Sequence, residues 1–193
     1  MKHYVEITLL PDVDISLNFL LQKVYQQLHL KFVEMKNENG LQPVGISFPH
    51  YNKDKNTLGD KIRLFAHDVV TIEQFNGKKT LKKLSDYVHV TGIRDVPPNV
   101  QTFTCFQRLQ IKSSNLRLAR RKAKRENVDV GIALSALQRF EEKQTTTPFV
   151  MIKSVSNGET FSLFVVCQEQ SSDNCAVGFG TYGLSSKSTV PIF

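Results

Sequence analysis

"HYVEITLL", residues 3–10, alternates apolar Val5, Ile7 and Leu9 with Tyr4, Glu6 and Thr8. A period of two sends successive side chains to opposite faces, so the stretch reads as a half-buried strand. Pro11 ends it. Asp12 or Asp14 then stands where a helix cap is needed, and Leu21, Val24, Leu28, Phe32 and Met35 recur at the spacings of three and four that give a helix one apolar stripe. The turn residues of "NENG" (37–40) close that helix. "PVGISF" (43–48) and "LGDKIRLFA" (58–66) read as two more strands, parted by the polar turn "YNKDKN" (51–56). "DVVTIEQFNGKKTLKKLSDY" (68–87) reads as a second helix interrupted at Asn76-Gly77. "VHVTGIRDV" (88–96) makes a fourth strand, stopped by Pro97-Pro98.

The order βαββαβ over residues 1–96 implies a ferredoxin-like sandwich, one sheet covered by two helices. Such a fold hosts many functions and decides none. "IRLFAH" (62–67) lacks the aromatic signature with which an RNA-recognition motif stacks bases on its sheet. With Pro97-Pro98 as the boundary, residues 97–193 form a second, also α+β, domain. It opens with a strand-like "TFTCFQRLQIK" (102–112), a basic helix over about 114–126 and a helical stretch "VGIALSALQRFEEK" (130–143). "FVMIKSVSNGETFSLFVVC" (149–167) is a hairpin around Asn157-Gly158, the best short turn in the chain, and a Gly- and Ser-rich tail follows.

The bulk numbers narrow the class. The chain has 193 residues, 40% of them hydrophobic, and its apolar runs are far too short to cross a bilayer. Residues 1–12 do not read as a secretory leader, which implies a cytoplasmic protein with no membrane partner. Cys105, Cys167 and Cys175 are odd in number with no CxxC spacing, so they read as reduced thiols. Neither a metal nor a cofactor is expected: no HExxH or Cys/His cluster occurs, and "GFGTYG" (178–183) lacks the Lys-Ser/Thr of a phosphate loop.

The formal charge of +7 is the most directive number. Lys112, Arg117, Arg120, Arg121, Lys122, Lys124 and Arg125 supply seven of the 25 basic residues, with no acid among them. Arg117, Arg120, Arg121, Lys124 and Arg125 fall at i, i+3, i+4, i+7 and i+8, one face of a helix, while Leu116, Ala119 and Ala123 lie opposite. Like charges repel at that spacing, so the face calls for an anion. The deep major groove of A-form RNA suits it: side chains read few base edges there, and such a helix recognises shape and charge. It grips without cutting.

Several stretches together carry a resemblance. "MKHYVEITLLPD", the histidine of "YQQLHLKF" (25–32), "FQRLQIKSS" with the basic helix, "FVMIKSVSNGETFSLF" and "TYGLSSKSTVPIF" resemble, in order and over essentially the whole chain, the CRISPR-repeat endoribonucleases of type I-F systems. The resemblance implies an enzyme that cuts precursor CRISPR RNA at the base of a repeat stem-loop and stays on the product. It implies RNA as partner, with other subunits of a type I-F guide-RNA complex and, where the host system is transposon-associated, transposition proteins.

Residue by residue, the resemblance makes His29 the catalytic histidine, Ser154 the serine that holds the attacking ribose, and Tyr182 the tyrosine that orients the histidine. It makes Arg108 and Gln110 the readers of purines low in the stem and Phe161 the ring stacked beneath the terminal base pair. Arg121, Lys124 and Arg125 become groove contacts, and Ser156 a supporting serine; Lys112, Arg117 and Arg120 join the RNA-binding set by charge. Lys124 stands where the family has arginine, and Glu126 where it has a histidine. The rival reading is a non-catalytic subunit that caps a guide-RNA complex.

Overall fold

In a computed structural model, residues 1–111, 115–137, 145–154, 158–170, 172–174 and 177–193 are described, with backbone alone for 115–117. Lys112, Ser156, Asn157, Cys175, the side chain of Arg117 and the latter part of the 130–143 stretch lie outside the described residues.

Two antiparallel sheets carry the chain. The first contains β1 (His3–Leu9), β2 (Gly45–Ser47), β3 (Lys61–Ala66) and β4 (Val88–Val90) in the order β2-β3-β1-β4, and β5 (Arg94–Asp95) also pairs with β1. The second contains β6 (Thr102–Leu109), β7 (Phe149–Lys153), β8 (Thr160–Gln170) and β9 (Val190–Ile192) in the order β7-β8-β6-β9. Strand β1 is more deeply covered than its alternation implies. Tyr4 lies against Phe65 and Phe193, and Glu6 lies beneath Lys61 and Arg63, so both are buried although neither belongs to the apolar set. A central strand flanked on both sides has little surface left to give to solvent.

Helix α1 (Leu17–Glu34) buries Leu20, Leu21, Val24, Tyr25, Leu28 and Phe32. Its cap is Ser16, whose hydroxyl accepts from the Phe19 amide; neither Asp12 nor Asp14 does this. The Asp12 carboxylate instead accepts from the amides of Asp14 and Ile15 through Oδ1, a local turn that holds it ahead of the helix. The second expected helix is three pieces: α2 (Val69–Phe75), α3 (Gly77–Thr80) and a 3-10 segment (Lys82–Tyr87). Asn76, at φ +47°, ends α2, and its side chain then caps α3 by accepting from the Lys79 amide at 3.1 Å. "VHVTGIRDV" divides at Thr91, whose amide still donates to the Glu6 carbonyl while its hydroxyl, in place of a strand carbonyl, accepts from the Glu6 amide.

One apolar cluster serves both sheets. It joins Tyr25, Leu28 and Phe32 of α1 to Ile46, Ile62 and Phe65 of the first sheet and to Phe106, Ile152, Leu163 and Val190 of the second. The compact units accordingly fall elsewhere than at the boundary read after residue 96: one comprises Met1–Leu109 with Thr147–Phe193, the other Gln110–Thr146. Pro97-Pro98 ends a strand without interrupting the core. In the second unit α4 (Asn115–Glu126) packs on α5 (Val130–Ser135) through buried Ala119, Ala123 and Ala133, small side chains that let two helices approach closely. Asp129 caps α5 through the Gly131 amide. Among the described residues no helix is long and apolar enough to cross a membrane.

Glu6 gives this frame a pH dependence. Lys61 Nζ and Arg63 Nε reach its two oxygens at 3.1 and 2.8 Å. Burial works upward on its carboxyl, but the hydrogen bonds from Arg63 and Lys61 outweigh it and hold the group below the ordinary 4.5. Glu6→Gln is expected to cost about 1–3 kcal/mol at neutral pH. The wild-type advantage is complete above 4.5 and is lost as pH falls through the depressed value. Urea unfolding of both chains between neutral and acid pH checks this, and a gap that stays constant would count against it.

Candidate active site

His29 stands on α1 beside Leu28, at the margin of the buried stripe, so its ring is half-covered rather than enclosed. Nδ1 lies 2.7 Å from the Thr181 carbonyl oxygen. A carbonyl only accepts, so the proton of the neutral ring belongs on Nδ1, and Nε2 is left with an open lone pair. The ring stacks on Tyr182, centroids 4.4 Å apart and planes within 10°. Burial lowers the imidazole's pKa below 6.5, against the upward pull of the Thr181 bond, so the ring is neutral at pH 7. A neutral histidine with one nitrogen fixed and the other open is a proton acceptor.

The turn that supplies Thr181 and Tyr182 is held from below. Tyr25, fully buried one helical turn before His29, donates its hydroxyl to the Tyr182 carbonyl at 2.8 Å. Burial raises the Tyr25 phenol far above its usual range, with Tyr182 adding to it, so this group stays a donor. Gly183 closes the turn at φ +71°, and a Cβ there would meet the Phe32 ring at 2.8 Å and Ile46 at 3.0 Å. Gln42, also buried, spans the Val44 amide and carbonyl and the Gly180 carbonyl, fixing the approach to the same turn.

On the open side of Tyr182 the guanidinium of Arg108 lies 5.5 Å from its ring and 5.4 Å from that of Phe161. The two rings meet edge-on at 6.5 Å. Arg108 is exposed on β6, Phe161 half-buried near the start of β8, and the cation bridges them over a partly apolar floor. Ser154 follows directly on β7. Its amide donates to Glu159 O and its carbonyl accepts from Gly158, so the hairpin backbone holds it on both sides. The preceding Lys153 amide donates to Gln26 Oε1 at 2.9 Å, tying β7 to the helix of His29.

A family profile described as "CRISPR-associated protein (Cas_Csy4)" matches residues 4–193. The chain belongs to that family. Among curated relatives, the protein named "CRISPR-associated endonuclease Cas6/Csy4" of Escherichia coli (strain UTI89 / UPEC) is 29% identical over 194 residues, covering all of both chains. The protein of the same name from Pseudomonas aeruginosa (strain UCBPP-PA14) is 28% identical over 199 residues, again over the full length of both.

In this Csy4-family chain the expected residues divide by unit. His29, Tyr182, Phe161 and Arg108 form one chain of ring and cation contacts, and Lys153, the residue before Ser154, is tied to the helix of His29 through Gln26. Gln110, Arg120, Arg121, Lys124 and Arg125 belong to the smaller unit, all exposed. One expectation about the basic face is corrected there. Glu126 compensates its C-terminal end, meeting its neighbour Arg125 at 2.8 Å and Lys122, one helical turn earlier, at 3.9 Å.

Sequence reasoning missed Tyr25, Gln26, Gln42 and the Thr181 carbonyl. Only Tyr25 had a legible cue, its i−4 spacing from His29 on one helical face. Among the described residues no three of His, Cys, Asp and Glu converge.

Two measurements test this geometry. The His29 imidazole should titrate below 6.5 in NMR spectra of the free protein, a shift that a fully hydrated ring would not show. Gly183→Ala should lose about 1–3 kcal/mol of stability, since a side chain must adopt positive φ and displace Phe32. Unchanged thermal unfolding would mean the turn is not constrained.

Proposed function

We propose that this chain is an endoribonuclease that recognises a CRISPR-repeat stem-loop in precursor CRISPR RNA and cuts at the base of the stem. The observation that carries the reading is the His29 Nδ1 to Thr181 carbonyl bond, which leaves Nε2 as the proton acceptor. Membership of the family and the word "endonuclease" in the names of both full-length relatives support it.

RNA brings its own nucleophile, so the protein needs to supply a base, a ribose holder and a fixed geometry. In the proposed step the 2′-hydroxyl proton passes to His29 Nε2 while O2′ forms a bond to the adjacent phosphorus. The bond from phosphorus to the 5′ oxygen breaks, and that oxygen takes up a proton. The products are a 2′,3′-cyclic phosphate and a 5′-hydroxyl, with no metal in the step. Ser154 holds the attacking ribose, and Tyr182 keeps the imidazole flat against one face. Base catalysis of this kind contributes about 10²–10⁴-fold, and orientation adds further.

The remaining residues grip. Phe161 offers a ring for the terminal base pair, and Arg108 with Gln110 reads purines low in the stem. Lys112, Arg117, Arg120, Arg121, Lys124, Arg125 and Ser156 hold phosphates, in the manner of a helix recognising an A-form groove by charge and shape. Residues 97–193 then act as the RNA-binding half and residues 1–96 as a ferredoxin-like half carrying the base. The strand order β4-β1-β3-β2, with α1 and the α2–α3 pieces as crossovers, supports that layout. A product held this way stays bound as a subunit of a type I-F guide-RNA complex in the cytoplasm.

Purified protein with its repeat hairpin in EDTA should yield 2′,3′-cyclic phosphate ends. A 3′-hydroxyl product, or cleavage only with added metal, would sink the mechanism. His29→Ala should slow cleavage by at least about 10²-fold with hairpin affinity nearly unchanged. The cleavage rate should fall as pH drops below 6.5 and His29 takes a proton, with the midpoint displaced to the acid side by its burial.

A further inference from the structure

Strand β7 is an edge strand, and half of its amides face away from β8. The pairing fixes which half. Ser154 N donates to Glu159 O and Val165 N to Pro148 O, so the residues in line with Ser154 turn their amides toward β8. Lys153, paired opposite Thr160, must therefore turn its amide outward. That outward amide is the one Gln26 Oε1 accepts, at 2.9 Å.

Gln26 sits three residues before His29, about 4.5 Å along the helix axis. Lys153 is the residue before Ser154. The bond thus connects, by two rigid short segments, the proposed base with the proposed ribose holder. By strand alternation Ser154 shares the face of Val150 and Ile152, both of which pack in the core that α1 also enters. Core packing brings the helix to the strand, but apolar contacts do not fix sliding along the strand; a directional bond to one amide does.

We propose that Gln26 is a positioning residue that sets the register between His29 and Ser154. It touches no reacting atom and acts through Ser154. The proposal rests on the endoribonuclease reading above. An in-line attack tolerates little misplacement of either group, so loosening this tie slows the chemical step while leaving RNA binding, made elsewhere, intact.

The test is a double-mutant cycle on single-turnover cleavage of the repeat hairpin, with Gln26→Ala, Ser154→Ala and the pair. Affinity is measured on the same hairpin carrying a 2′-deoxy scissile nucleotide. Gln26→Ala should cut about three- to tenfold more slowly, as expected for one exchangeable hydrogen bond, with affinity and thermal midpoint close to wild type. In the Ser154→Ala background it should have no further effect, which a residue that merely supports the fold would not show. A Gln26→Ala chain that cuts at the wild-type rate, or loses as much rate with Ser154 absent as with it present, overturns the proposal alone. A wild-type chain that leaves the hairpin uncut overturns the endoribonuclease reading together with it.

Discussion

Tyr25, Leu28 and Phe32 are buried along one stripe of α1, in a cluster fed by both sheets, and the remaining geometry depends on that shared burial. A helix packed against one sheet alone would present its flank to water. Packed between contributions from two, it brings its polar margin against the 181–182 turn and the end of β7. The apolar stripe supplies the free energy, on the order of 1.5–3 kcal/mol for each large side chain fully covered. The few polar side chains beside it supply the direction: His29 to Thr181, Tyr25 to Tyr182 and Gln26 to Lys153. Burial and specificity thus lie on adjacent lines of the same helix.

The strands with alternating or β-branched patterns were legible because their period is local. β1, β3, the β7–β8 hairpin and the long α1 stripe are where the residues put them, and the break at Asn76-Gly77 is where turn chemistry asks for it. Caps were harder. Asp12 and Ser16 both qualify by type, and only the tight turn that engages Asp12 leaves the role to Ser16. The division at Pro97-Pro98 rests on a different cue: prolines end strands, whereas the compact units follow contacts between residues distant in sequence and divide at Leu109 and Thr147. Glu126 stood out in the sequence only as a departure from the family's histidine; its ion pairs with Arg125 and Lys122 join it to the end of the basic face.

The candidate site was legible only in part. His29 is a histidine on an amphipathic helix, and its surroundings carry no short motif of their own; the resemblance to a family pointed to it. What sequence could not supply was the tautomer. That depends on a backbone carbonyl, and every residue has one. Gln26 and Gln42 were invisible for the same reason, since each acts on main-chain atoms that no residue pattern marks; Tyr25 had only its spacing from His29 to point to it.

The bond between His29 and Thr181 spans 152 positions of chain. During synthesis at about 5–20 residues per second, His29 is added to the chain roughly 8–30 s before its orienting carbonyl exists. Over that interval the ring is free to exchange tautomers and Tyr25 has no Tyr182 carbonyl to hold. The basic stretch at 115–126 is made well within that interval. A growing chain therefore acquires its affinity for polyanions before it acquires an ordered imidazole. The order of the residues along the chain puts assembly of this site after the basic stretch has been made.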